Sequence, residues 1–254
     1  MNSTFFSLGA PTVTLATLQT LQGGVYNIAD YGGNVAIWVN GQWRFQLPVR
    51  TDWAGRPAVG LVPTGAELQV TDYANQKWIN DGTVWRPAQG RVVLKGQFGL
   101  FAAGGQIAQI SGAASGLFAI PGGCKIPVGM IIPHSRLYVQ ADCYKSGANG
   151  TANFTIHLGT ANSSTDPLMC GQGSAITSGA NVLATAAARF GTATDRFNAR
   201  SWQGEGVSSG SNASMVDRIG NVNTNADMWL NVGINTANAA DVFNLVSLQV
   251  VLES

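Results

Sequence analysis

The stretch from Val25 to Pro87 states one pattern twice, and nothing else in the chain constrains its fold as tightly. The first copy runs Val25-Tyr-Asn-Ile-Ala-Asp30-Tyr31, then Trp38-Val-Asn40-Gly41-Gln-Trp43-Arg44. The second runs Leu68-Gln-Val-Thr-Asp72-Tyr73, then Trp78-Ile-Asn80-Asp81-Gly82-Thr-Val-Trp85-Arg86-Pro87. Asp-Tyr, a short polar turn, Trp, an Asn/Asp-Gly turn and Trp-Arg recur in that order. Asn40-Gly41 and Asp81-Gly82 predict β-hairpins, because type I′ turns need positive φ at both central residues and these pairs tolerate it. The flanking tryptophans, Trp38 with Trp43 and Trp78 with Trp85, are placed to staple each hairpin across its strands. Two hairpins are marginal alone, so the module is expected to pack on a neighbour. A duplicated Trp hairpin suits docking better than catalysis.

Around this module the chain divides into a lead-in over 1–24, the duplicated hairpin module over 25–95, and a head domain over 96–254. In the lead-in, Leu15, Leu18 and Leu21 stand three apart before Gly23-Gly24, which fits a short helix over 14–22. An extended partner-binding arm fits equally. Residues 45–65, with Pro48, Pro57, Pro63 and Trp53, read as an ordered loop joining the hairpins.

From Arg91 the chain reads as strands between turn clusters. Gln106–Ile110 and Gly116–Ile120 are short extended segments. Over Ser135–Cys143, Leu, Val, Ala and Cys alternate with Arg, Tyr, Gln and Asp, the period of a half-buried strand. Ala152–Leu158, Met228–Ile234 and Val242–Leu252 repeat the alternation. Ala180–Phe190 is Ala-rich and compatible with a helical turn, and 201–213 reads as a loop. Strands at this spacing without helical crossovers predict an all-β chain whose head is an antiparallel jelly roll or β-sandwich.

Charged residues make up 11 % of the chain and the net charge is +1, so neither nucleic acid nor an acidic membrane has an electrostatic footprint to grip. No apolar run reaches the ~18 residues that membrane insertion needs. The N-terminus has no basic residues ahead of its apolar ones, so no secretory leader is expected and the sequons at Asn149, Asn153, Asn162 and Asn212 carry no meaning. Cys124, Cys143 and Cys170 lack metal-type spacing and read as buried thiols.

Catalytic candidates are weak. Gly206-Val-Ser208-Ser-Gly210 matches the Gly-x-Ser-x-Gly elbow, but both histidines precede it and its flanks are Gly/Ser/Asn loop. His134 and His157 have no partner at ligand spacing. Glu205, Asp195, Asp217 and Asp227 supply carboxylates for glycoside cleavage, yet no spacing pairs them. Phosphate-cradling glycine motifs are missing. No enzyme activity, metal or cofactor is therefore expected. Trp202, a large aromatic in a Gly/Ser stretch, forms with Glu205 and Asn212 a candidate surface recognition loop.

The segment Val70–Tyr73, Trp78–Pro87 and Gly90–Leu94 resembles a module of fibre and appendage proteins of tailed bacteriophages. The C-terminal part, through Ile132-Pro-His-Ser-Arg-Leu137 and Thr236–Asp241, resembles their trimeric jelly-roll domains. The likeness covers most of 66–254. It implies a homotrimer packed about a threefold axis, located in the virion and assembled in the host cytoplasm. The other virion proteins, of tail or capsid, would be its partners, as would a host-surface glycan. No catalytic residue transfers. No shaft is visible, which favours a short tail or head fibre displaying its jelly roll for attachment. A capsid cement or decoration protein, and an envelope-glycan hydrolase, esterase or lectin module, are the alternatives.

Overall fold

The computed structural model describes residues 10–29, 34–46, 48–99, 106–111, 116–147, 150–176, 181–206, 214–236 and 240–254. The chain is all-β and forms two compact units, Met1–Val92 and Val93–Ser254.

The first unit is built from two copies of a four-stranded sheet. In the first copy, β1 (Thr12–Val13) pairs in parallel with β2 (Val25–Ile28). Antiparallel pairing then continues to β3 (Asn34–Val39) and β4 (Gln42–Phe45). The second copy repeats the order with β5 (Val49–Thr51), β6 (Glu67–Val70), β7 (Gln76–Asn80) and β8 (Trp85–Pro87), again parallel first and antiparallel after. The duplication is thus longer than the hairpins. What reads as lead-in or linker in the sequence holds the opening strand and the crossover of each copy. That crossover carries the helix α1 (Leu15–Leu18) in copy one and a single 3-10 turn, Val59–Leu61, in copy two. Thr14 caps α1 by accepting the N–H of Thr17 at 3.1 Å, and Leu15 and Leu18 point into the core, so the expected helix is one turn long.

The two hairpin turns differ. Asn40 and Gly41 have φ of 53° and 81°, as a type I′ turn requires, and Trp38 stands directly across from Trp43 with ring centroids 4.8 Å apart. The second turn is longer than a two-residue I′ loop. Asn80 pairs with Trp85, only Gly82 has positive φ, and Trp78 faces Pro87 instead of Trp85. The Asp81 carboxylate makes this loop by accepting the N–H groups of Thr83 and Val84 and the Thr83 hydroxyl, each at 2.8 Å. Trp78 instead packs on Trp53 from the connection, centroids 4.5 Å apart, while Trp85 donates its indole N–H to the Pro57 carbonyl at 2.9 Å. Arg56 lies 4.2 Å above the Trp53 ring and donates to the Trp53 carbonyl.

The second unit is a jelly-roll sandwich. Its strands are β9 (Arg91–Phe98), β10 (Ala108–Ser111), β11 (Gly116–Leu117), β12 (Lys125–Ile126), β13 (Arg136–Ser146) and β14 (Gly150–Gly159), then β15 (Leu168–Ile176), β16 (Asn181–Phe190), β17 (Arg196–Gly206), β18 (Ser214–Asn221), β19 (Met228–Thr236) and β20 (Val242–Glu253). One sheet has the order β10-β20-β13-β16-β17-β18, with β9 also on β20. The other has the order β11-β19-β14-β15, with β12 also on β19. Without the hairpin β17–β18, the paths β10-β20-β13-β16 and β11-β19-β14-β15 are the two layers of a jelly roll, with β9 and β12 added on β20 and β19, and the hairpin widens the first layer beyond β16.

Alternation decides which side of each strand is buried. In β13, Leu137, Val139, Ala141 and Cys143 point inward and Arg136, Tyr138 and Gln140 outward. In β20 two successive residues, Leu245 and Val246, are both buried, because a bulge opposite Asp142 and Cys143 shifts the register there. Two stretches depart from the sequence reading. Ala180–Phe190 is strand from Asn181, without a helical turn: Ala184, Ala186 and Ala188 all face the core, where small side chains let β15 of the facing sheet lie close over β16. Residues 201–206 belong to β17, so the first part of the expected loop is strand, and 207–213 lie outside the described residues.

Candidate functional site: the outer face of the seven-stranded sheet

The inner face of the larger sheet is sealed against the smaller one. Its outer face is open, and the register sets out what it displays. One row runs Val251, Tyr138, Ala187, Arg200, Asp217 across β20, β13, β16, β17 and β18, and the next runs Glu253, Arg136, Arg189, Asn198, Ile219. A third begins Gln249, Gln140, Thr185.

Strand β16 supplies small outward residues, Thr185 and Ala187, between longer ones on β13 and β17, so the face is hollowed along it. A hollow of about 380 Å³ has Ala187, Val251 and Tyr138 as its apolar lining, with Gln140, Gln249 and Arg200 around them. It shares Ala187 and Arg200 with a hollow of about 310 Å³ bounded by Arg189, Asn198 and Asp217. That one shares Arg189 and Asn198 with a third, of about 520 Å³, which ends at Ile219. Ile219 is 70 % exposed and Tyr138 37 %, unusual for side chains of their size on a sheet. Arg200 and Asp217 pair at 3.0 Å across β17 and β18; the carboxylate holds the guanidinium above its ordinary pKa, and is itself held below the usual carboxylate range by it. Both groups are well exposed, so the pair adds little stability.

The residues singled out from the sequence are scattered. Trp202 sits on β17 opposite Thr185 and Met215, and Glu205 opposite Val182; Asn212 and Ser208 lie outside the described residues. Trp202 and Glu205 therefore stand on a strand and not in a loop. Trp38, Trp43, Trp78 and Trp85 all belong to the first unit, where all but the half-buried Trp38 are core. His157 is 4 % exposed, and its Nδ1 lies 2.9 Å from the Asp166 carbonyl oxygen, to which the imidazole donates. The Asp166 carboxylate accepts the N–H groups of Ala161 and Ser163, closing the β14–β15 loop. His134 is a turn residue with φ of 67°, its N–H bonded to the Gly191 carbonyl. Asp227 is engaged by Lys125 at 2.6 Å and by the Val128 N–H, and the lysine, then the backbone donor, depress its pKa.

Burial pushes all three thiols up, Cys124 to about 12 against a weaker opposing pull from Lys95, so none is a thiolate nucleophile at neutral pH. Among the described residues no three His, Cys, Asp or Glu side chains gather as a metal site, and no helix is long and apolar enough to cross a membrane. The open sheet face is built on paired strands and presents a hollowed surface of mixed apolar and charged side chains. The signal for it in the sequence was the Ala/Thr run of β16 flanked in space by Tyr138 and Arg200, a juxtaposition that appears only once register is known.

The Asp81 loop carries a pH prediction. The N–H of Val84, then those of Thr83, the Thr83 hydroxyl and Arg86 hold this carboxyl well below the usual range, against a smaller opposing effect of burial. A depressed folded pKa means the unfolded chain binds the proton first, so the contribution is complete above the ordinary carboxylate range and is lost as pH falls below it. Asp81→Asn is expected to melt below the wild type at pH 7, with the gap narrowing steadily under about pH 4. Thermal melts across pH check this, and a gap that widens in acid contradicts it.

No family model matches the chain, and no curated protein matches it. Among solved structures it is loosely similar to arcelin-5, a lectin-like defence protein from Phaseolus vulgaris, with 8 % identity over 66 % of this chain and 89 % of that one and a TM-score of 0.31. The lectin UEA-II complexed with galactose gives 12 % identity, 65 % and 94 % coverage and a TM-score of 0.31. A basic winged bean lectin with Tn-antigen gives 10 %, 66 %, 89 % and 0.27. Likenesses this loose bear on neither ligand nor activity.

Proposed function

We propose that this chain is a structural attachment protein of a tailed-phage virion, a short homotrimeric fibre of tail or head. Its Trp-rich repeat unit docks on other virion proteins, and its jelly roll projects toward the host surface. The observation that carries the reading is the union of two elements in one chain. A duplicated, Trp-packed unit of docking type precedes a jelly roll whose larger sheet keeps a hollowed face open in the single subunit. An open sheet face with large apolar side chains is most economically covered by another copy of itself. Adhesion by such a particle needs no bond chemistry, since weak contacts to a surface glycan add through threefold display. Four of the polar side chains have structural work: His157 and Asp166 close a loop, and Asp217 and Asp227 are each paired with a basic residue.

Light scattering of the purified chain is expected to return three times its 26.5 kDa mass. Antibody-labelled electron microscopy of purified particles is expected to place it at the tail tip or on the capsid. Label at the capsid lattice moves the role to cement. Particles that carry none of the protein overturn the reading, as does release of sugar or acetate from host envelope by the purified chain.

A further inference from the structure

We infer that the hollow lined by Ala187, Tyr138 and Val251 is the seat for Ile219 of a second copy of this chain. The inference rests on the trimeric reading above and names its contact.

Both halves of the contact are on each molecule. Ile219 stands on β18, the strand that ends the sheet order on that side, with 70 % of its surface exposed. The hollow lies further into the same face, over β16, β13 and β20, and its lining of Ala187, Val251 and the Tyr138 ring is of the size and polarity to take a branched aliphatic side chain. A subunit cannot fill its own hollow with its own Ile219, because both project from one face of a continuous sheet with β17 between β16 and β18. A knob at the edge and a hole near the middle make a head-to-tail contact, and such a contact closes into a ring when the rotation permits.

Charge follows the same division. Around the hollow stand Arg136, Arg189 and Arg200; Glu253 lies across from Arg136, and Arg200 is paired with Asp217 of its own subunit. The edge strand carries Asp217 two residues from Ile219 on the same face. Among the described residues Arg189 is exposed and has no ion-pair partner, so the exposed carboxylate of an incoming Asp217, shared with its own Arg200, meets a second guanidinium as Ile219 seats.

The test uses the full chain and three variants. Ile219→Asp removes the knob, and Ala187→Arg fills the hole. Both positions face outward, so circular dichroism and melting of the monomer are expected to stay as in the wild type. With a trimeric wild type, each single variant is expected to raise the concentration of half-assembly on the order of thirtyfold or more, as loss of an interface hot spot does. The double variant, which sets an Asp knob against an Arg-filled hole, is expected to recover part of that assembly. A trimeric wild type whose single variants assemble unchanged overturns this contact and leaves the fibre reading standing. A monomeric wild type overturns both, and the two failures are told apart by the wild-type mass alone.

Discussion

Replacing Lys145 with Met is expected to destabilise the jelly roll by about 3–5 kcal/mol, the scale of stripping one partner from a buried ion pair. The alternation of β13 carries an inward column through Leu137, Val139, Ala141 and Cys143, and the next inward position is a lysine. Lys145 and Asp241 are both fully buried, with Nζ 3.2 Å from Oδ1, and the ammonium also lies 5.8 Å from the Phe243 ring. The chain is brought together tightly here. Gly147 has φ of 101°, and a Cβ on it would come within 1.9 Å of the Ala240 carbonyl oxygen. The pair therefore ties the end of β13 to the start of β20, two strands that already share a long ladder. Without the lysine, Asp241 keeps a buried charge that has lost its counter-ion, which is why the single change is severe. The double variant Lys145→Met with Asp241→Ala should regain most of the loss, because removing both charges removes the desolvation cost with the attraction. Calorimetry of the full chain checks both. A double variant as weak as the single one would mean that the pair contributes more than its mutual charge.

The legible parts of this fold were those whose signal is local. Period-two alternation marked β13, β14 and β20, and Asn40-Gly41 marked its turn, since each depends only on side-chain order along one strand. The β16 strand was obscured because alanine favours strands little; its alanines are there for space between sheets, a property of the partner layer. The parallel strands β1 and β5 are two and three residues long, too short for any period, so the repeat looked like a pair of hairpins with linkers. Lys145 broke the expected composition of an inward column, and its acidic partner stands across the sheet pairing. The candidate site was the least legible. Tyr138, Ala187, Arg200 and Val251 come from four strands spread over most of the second unit, and only the β13–β16, β16–β17 and β13–β20 registers set them side by side.

Asn80→Ala is expected to lower the stability of the first unit by about 2–4 kcal/mol, whereas Asn40→Ala should cost about 1 kcal/mol, although both residues hold the same place in the repeated Trp-x-Asn pattern. Asn40 is exposed at the tip of its turn with φ of 53°, so its loss exchanges a residue tolerant of left-handed backbone for one that is strained there. Asn80 is 1 % exposed. Its amide faces three carbonyls, those of Val59 at 3.0 Å, Val62 at 2.9 Å and Pro63 at 3.2 Å, so its two protons are shared among three acceptors. Its side-chain oxygen accepts the Gly82 N–H at 2.8 Å, and its backbone bonds Gly65 and Ala66. One side chain thus fastens the proline-rich crossover of the second copy to its hairpin, whereas in the first copy the Asn27 amide of β2 bonds the Ala10 carbonyl ahead of β1 at 3.0 Å. Truncation to Ala strips the buried Val62 carbonyl and the Gly82 N–H of this partner and loosens a crossover that carries Trp53, the residue packed on Trp78. Asn80→Asp should be nearly as damaging, because a carboxylate has no proton to offer those carbonyls. The melting of the tryptophan fluorescence reports all three variants. Equal effects at Asn40 and Asn80 would show that the two copies are held by their turns and not by this buried amide.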